Sequence, residues 1–354
     1  MPLNITGDAV EDADTAECMA GLTATSSPAP ITNIAVIIVN YGTPDLAIKA
    51  AASILARAHG GRLCTVHIVD NASPDNSAAA LQAAHTHQHW GERVILHLEA
   101  ENHGFGRGNN VVMRQLVASS NPPDAVFLLN PDAFVENEVI DILATHLEAN
   151  HDAGFAGAGI SKPDGTAVTA AFRFPSVASE FSTALNFGPV ARFLSRWEVP
   201  LSPEAPAGPV DWVAGAAVLV RLRTLADVNF FDPEFFLYYE EVDLMRRAAR
   251  QGWHCLYVPQ ARVVHIEGEA TGVKSGRTIV PRVPDYRYHS WQHYFSKSYG
   301  RAVALLAALA AITGSLGNKM LSALLRRPSR VPAFFFRDFW YHAMRPLLFG
   351  RTAK

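Results

Sequence analysis

The chain has 354 residues, 49% hydrophobic and 18% charged, enough for a sizeable core in one large α/β domain or two smaller ones. A formal net charge of −3 gives no footing for wholesale nucleic-acid binding. Three cysteines (Cys18, Cys64, Cys255), odd in number and far apart, exclude a disulfide framework and point to a reducing, cytoplasmic compartment.

In chain order, residues 1–30 hold five acidic side chains and no Lys or Arg, and end in "TATSSPAP". They read as a disordered leader with little to bury, without the basic and apolar regions of a signal peptide. "IAVIIVN" (34–40), "TVHIVDN" (65–71), "RVILHLE" (93–99) and "AVFLLN" (125–130) predict buried strands, each followed by turn residues and then helical spacing. That alternation predicts a mostly parallel sheet covered on both faces, with ligands beyond the carboxyl ends of its strands. Asn40, Asp70, Asn71, Asn130 and Asp132 fall at those ends. The cluster "HTHQH" (His85, His87, His89) lies outside every motif and reads as a polar helix end.

After Ala149, "GFAGAGI" and "VDWVAGAAVLVR" read as strands joined by a segment rich in Phe and Pro, Thr169 to Pro209. An acidic helix, "HCLYVP" and "RVVHIEG" follow. "AVALLAALAAITGSLG" (302–317) is apolar but too short for an ordinary membrane span. From Lys319 onward eight Lys/Arg face one acid, Asp338, a local +7. This tail either lies on a membrane surface or packs on the core with a basic rim.

Several stretches can carry chemistry, each with a plainer alternative. In "IVDNASPDNS" the Asp70 carboxylate can accept an imide N–H from a pyrimidine; the same residues suit a turn and helix cap. "ENHGFGRGNN" (101–110) is glycine-rich and opens a helix, so its N–H groups and Arg107 can cradle a phosphate, or form an ordinary loop. In "FLLNPDA" Asn130 and Asp132 stand at i and i+2 on one side of an extended backbone, as oxygen donors for Mg²⁺ or Mn²⁺, or as a turn and cap. Small residues in "WVAGAAVLVR" permit close approach of a ligand or backbone. In "FDPEFFLYYEEVDLMRRAARQGW" Glu240 and Glu241 fall in the first turn of a helix, whose dipole favours an ionised carboxylate that can act as a general base. Asp243 and Arg247 are spaced to pair along that helix. His265, ending "VVHI", can complete a metal site or be structural.

Taken together, "VDNASPDNS", "NHGFGRGNN", "LLNPDA", "WVAGAAVLVR", the acidic helix and "VPQARVVHIEG" resemble the family 2 glycosyltransferases, in particular the bacterial rhamnosyltransferase-like branch. The resemblance runs from about Ile34 to about Gly300 and includes "HSWQHYFSKSYG". It implies a GT-A fold over residues 31–300, with a nucleotide-sugar half (31–150) and an acceptor and catalytic half (151–300), followed by a helical extension (301–354). On the donor side it implies Asn40, Tyr41, Asp70, Asn71, Asn102, Gly104, Phe105, Arg107, Asn110 and Asn130. Asp132 and His265 match the metal site, with Asn130 replacing the first Asp of the D-x-D motif. Trp212, Gly215, Ala216, Tyr239 and Asp243 fall on the acceptor side, and Glu241 matches the base, with Glu240 beside it. "HIEGEAT" departs from the branch's H-x-x-G-x-S, which leaves Thr271 out of the site. The implied reaction is an inverting, metal-assisted transfer from dTDP-rhamnose, or from a UDP-hexose, to a lipid-linked or other cell-envelope glycan at the inner face of the cytoplasmic membrane. Nucleic acid is not an implied partner. A nucleotidyltransferase would need a basic, glycine-rich signature near the first strand, and "VNYGTPDL" has none. A non-catalytic nucleotide-sugar-binding protein would have lost the base or the metal Asp, and both are present.

Overall fold

The computed structural model describes residues 30–266 and 281–350. Residues 1–29 of the leader, Cys18 and Thr271 lie outside the described residues. Twelve strands are found among those described: β1 (Asn33–Asn40), β2 (Leu63–Asp70), β3 (Val94–Leu98), β4 (Ala125–Leu129), β5 (Ala133–Val135), β6 (Ala153–Ser161), β7 (Ala167–Val168), β8 (Ala171–Phe172), β9 (Gly208–Val210), β10 (Trp212–Val213), β11 (Ala217–Arg221) and β12 (His254–His265). The helices of eight or more residues are α1 (Pro44–Leu55), α2 (Ser77–His87), α3 (Gly104–Val117), α4 (Val139–Ala149), α5 (Val177–Leu185), α6 (Glu240–Arg250), α7 (Asp285–Tyr299) and α8 (Arg301–Leu324).

The main sheet has the order β3-β2-β1-β4-β11-β6-β12-β5. β1, β2, β3 and β4 pair in parallel, as do β6 and β12, while β11 runs antiparallel between β4 and β6. Near-continuous apolar runs suit strands buried on both faces. Alternate residues divide accordingly: Ile34, Val36 and Ile38 face α1, α2 and α4, and Ile37 and Val39 face α3 and α6. A third core, built on Phe235, Val242, Trp291, Tyr294 and Phe295, joins α7 and α8 to this body.

Three expectations need correction. "VDWVAGAAVLVR" is not one strand. β10 pairs with β8 in a separate two-stranded sheet, and β11 begins only at Ala217. The small residues between them, Ala214 to Ala216, let the chain cross from one sheet to the other. Conversely, "HCLYVP" and "RVVHIEG" form one bulged strand, β12, with a register shift between Val258 and Arg262. The apolar C-terminal run is also longer than its composition suggests: α8 spans 24 residues, enough by length and hydropathy to cross a membrane.

Candidate active site

β1 and β2 end in register at Asn40 and Asp70, both buried. Asp70 Oδ1 accepts hydrogen bonds from Asn40 Nδ2 (2.9 Å) and Ser73 Oγ (2.5 Å). Asn40 Oδ1 in turn accepts from the Thr43 N–H (3.2 Å), just before α1 starts. Asn40 therefore orients the carboxylate beside it, and Tyr41 is the exposed neighbour. Asn71 binds the glycine segment: Nδ2 donates to Asn102 Oδ1 (3.1 Å) and the Gly104 carbonyl (3.2 Å), and Oδ1 accepts from the His103 N–H (3.0 Å). Asn110 pairs with both backbone groups of Phe231 (2.8 and 3.1 Å). These buried amides hold the loop together, so their contribution to a donor site is positional.

The glycine segment opens α3 as expected, but its first amides are occupied. Gly104 N–H donates to Asn102 Oδ1 (2.8 Å) and Phe105 N–H to the Phe236 carbonyl (3.3 Å). Gly104 has φ +75°, and an added Cβ would stand 2.1 Å from the Phe236 oxygen. Only glycine permits that approach. The motif thus brings α3 against the segment leading into the acidic helix. Arg107, half-buried, is held by its Nε on the His103 carbonyl (2.8 Å).

Asn130 and Asp132 do not lie on an extended backbone. They occupy a turn closed by Ala133 N–H on the Asn130 carbonyl (3.1 Å), and His265 rather than strand spacing brings their side chains together. His265 Nε2 is 2.9 Å from Asp132 Oδ1 and 3.4 Å from Asn130 Nδ2. The β5–β12 pairing places His265 opposite Ala133, and Ile266 N–H binds the Asp132 carbonyl (3.0 Å). A carboxylate, an imidazole and an amide oxygen are a donor set that a divalent cation accepts when phosphate oxygens complete its shell. Among the described residues no group of three His, Cys, Asp or Glu forms such a set without that help.

The crossing segment links this corner to the acidic helix. Asn130 N–H donates to the Ala216 carbonyl (2.9 Å), and a Cβ on Gly215 would lie 3.7 Å from both Glu241 Cβ and Phe105 Cε1. Glu240 sits by α3, 3.5 Å from the corresponding position on Gly106. Glu240 is 4% exposed, and Oε2 of each glutamate is buried without a hydrogen-bond partner among the described residues. Burial pushes the pKa of both up, and for Glu240 the Glu241 charge adds to the shift. Desolvation therefore outweighs the help that the helix dipole gives to the ionised form. Directly ahead, Tyr238 and Tyr239 both have positive φ (70° and 69°), strain of the kind that collects at functional sites.

The aromatics around the carboxylates mostly build packing rather than a cleft wall. Phe235 is fully buried, Tyr239 packs on Tyr294 of α7, and Trp212 stacks on Phe172 at 4.0 Å; Phe236 is exposed. Asp243 is 1% exposed and points into an ionic network with Arg247 (2.7 Å) and Lys297 (2.9 Å), and Lys297 also reaches Asp232 (2.7 Å). Its i, i+4 pairing was legible; the α7 lysine was not, because it lies 54 residues away. Glu180, also unforeseen, accepts from Trp291 Nε1 (2.9 Å), and burial pushes its pKa up to about 7. His85 binds the Gly91 and Val94 carbonyls at the end of α2, as a polar helix end does.

A family model described as "Glycosyltransferase like family 2" matches residues 30–277. The chain is 31% identical, over 220 residues, to an N-acetylglucosaminyl-diphospho-decaprenol L-rhamnosyltransferase of Mycobacterium tuberculosis, covering 60% of this chain and 69% of that protein. It is 24% identical over 201 residues to rhamnosyltransferase WbbL of Escherichia coli, covering 56% and 66%. Among solved structures it resembles the mannosyltransferase PcManGT from Pyrobaculum calidifontis in complex with GDP-Man and Mn²⁺, with TM-score 0.53, 16% identity, and 95% and 94% of the two chains covered.

Proposed function

The chain belongs to glycosyltransferase family 2 and has the GT-A fold, and from that premise we propose that it is an inverting rhamnosyltransferase. In this reading L-rhamnose moves from dTDP-rhamnose to a hydroxyl of a lipid-linked or other cell-envelope glycan at the inner face of the cytoplasmic membrane. The names of the two relatives support the sugar, and the decaprenol-linked substrate of the first supports a lipid-linked acceptor.

The observation that carries the chemistry is the pair of buried, partnerless carboxylate oxygens on Glu240 and Glu241, beside a segment of small residues. A buried acceptor that finds no donor in its own fold is suited to a donor brought by substrate. Glu241 accepts the proton of the acceptor hydroxyl at Oε2 as that oxygen attacks the anomeric carbon and the bond to the diphosphate breaks. Glu240, more deeply set and raised further by the Glu241 charge, is the protonated partner, which leaves Glu241 as the one that acts as base. Asp70, oriented by Asn40 and Ser73, accepts the imide N–H of the pyrimidine. Asp132 and His265, with Asn130, would hold a divalent cation, Mg²⁺ or Mn²⁺. When bound, that ion offsets the charge that develops on the departing diphosphate. Arg107, in the first turn of α3, would add a second positive group.

The test is turnover of a panel of nucleotide sugars with Mg²⁺ or Mn²⁺, read as nucleoside diphosphate released. Release from dTDP-rhamnose well above that from UDP-hexoses is expected. Preference for a UDP-hexose would overturn the sugar assignment, and binding of no donor would overturn the reading.

A further inference from the structure

α8 is built inside out for a helix on a soluble body. Its buried face carries Ala304, Ala307, Ala308, Ala311, Gly314, Ser315, Asn318 and Ser322. Its outward face carries Leu306, Leu309, Leu316, Met320 and Leu324, at 55, 50, 47, 74 and 78% exposure, and no charge stands between Arg301 and Lys319. These positions fall in a stripe less than a quarter-turn wide, over a helix about 36 Å long. In water such a stripe is polar; large side chains outside and small ones inside is the arrangement of a helix that meets lipid.

We propose that this stripe lies in the plane of an anionic phospholipid monolayer, with the basic tail on its headgroups. Charge selects lipid over a second copy of this chain. After residue 300 the one acid is Asp338, which is buried and bound by Arg282 at 2.6 and 3.0 Å. Among the described residues after 300 the exposed charges, which include Lys319, Arg326, Arg327, Arg330, Arg337 and Arg345, are all positive. Two such C-terminal regions would repel each other, whereas a negative surface attracts them. Trp340 and Tyr341, exposed on the following segment, suit the headgroup level. That segment runs back along α8: Lys319 lies over the Phe336 ring (5.0 Å), and Arg301 binds the Leu347 and Leu348 carbonyls.

The helix lies on the membrane and does not cross it, because its inner face is committed to the protein. Asn318 Nδ2 donates to the Leu185 carbonyl (3.0 Å), its Oδ1 accepts from Ser329 Oγ and the Arg330 N–H (3.0 and 3.1 Å), and a Cβ on Gly314 would stand 2.6 Å from the Phe181 oxygen. Crossing would move Ser315, Asn318 and Ser322 into hydrocarbon.

The inference deepens the membrane location proposed above and rests on it, but not on the donor or the catalytic residues. It is tested by flotation of the full chain with phosphatidylcholine vesicles, with and without phosphatidylglycerol, at low and high salt. Binding to the anionic vesicles, weakened by salt and removed by carbonate wash, is expected. Leu316→Glu with Met320→Glu should lower the bound fraction at least about tenfold, with gel-filtration volume and donor binding in solution unchanged. No flotation with anionic vesicles, flotation of the double variant like the parent, or resistance to carbonate would overturn it. So would a dimer that the double variant converts to monomer, since the occupant would then be a second copy. Loss of donor binding with flotation intact would count against the transferase reading alone.

Discussion

His265 Nε2 lies 2.9 Å from Asp132 Oδ1, joining residues 133 positions apart in the sequence. The contact depends on β12 running through its bulge to pair with β5, so the corner proposed to hold a metal is a product of sheet topology. A cation bound there would replace the hydrogen bond between Asp132 and His265. Asp132→Ala and His265→Ala should each weaken metal-dependent donor binding about 10- to 100-fold. Calorimetry with and without EDTA checks this: the variants should match the parent in EDTA and fall behind it with Mn²⁺. Equal affinities in both conditions would remove the metal from this corner.

The two glutamates set a pH dependence whose sign follows from burial. Both carboxyls have pKa values above the ordinary range, and a base acts in its ionised form. The rate therefore rises with pH through the raised pKa. The Glu241 charge raises the pKa of Glu240 rather than the reverse, so Glu240 is still protonated where Glu241 titrates, and Glu240→Gln, which resembles that neutral form, should leave the acidic limb of the kcat/KM profile in place. A limb moved to lower pH would show that Glu240 ionises first and raises its neighbour.

Gly104 is fixed by geometry rather than by phosphate. With positive φ and the Phe236 carbonyl where a Cβ would stand, Gly104→Ala should destabilise the fold by about 2–4 kcal/mol. Denaturant melts give the value directly. A loss of donor affinity with full stability would instead support direct phosphate contact at this residue.

Lys297 is the shared cation of Asp232 and Asp243, and Lys297→Met leaves both carboxylates short of a partner. Removing one member of a buried ionic group costs about 3 kcal/mol. The deficit should be largest near neutral pH and shrink as the pH falls through the carboxylate range. That sign follows for Asp232: burial alone would raise its pKa, but hydrogen bonds from His293 and Lys297 win and hold it well below the ordinary value. Its stabilisation is present above the unfolded pKa and lost as pH falls through the folded one. Melts of parent and variant across that range check it.

Much of this was legible in the sequence because it is local. Apolar runs ending in polar residues gave β1 to β4 within a residue or two, and the acidic helix starts at Glu240 as read. The i, i+4 spacing foretold the Asp243–Arg247 pair. What escaped depends on contacts across long separations. Nothing in "ENHGFGRGNN" reveals that Phe236 will press on Gly104, and nothing near Asp243 announces Lys297. The break at Ala214–Ala216 escaped because small residues tolerate either a strand or a crossing, and only the partners of β10 and β11 decide.

The measurement closest to the central claim compares Glu241→Gln with the parent for both donor turnover and donor affinity. The account predicts a fall in turnover of about 10²–10⁴-fold with the donor Kd unchanged, since the carboxylate acts on the acceptor proton. Turnover at the parent rate, or a loss fully explained by weaker donor binding, would contradict it.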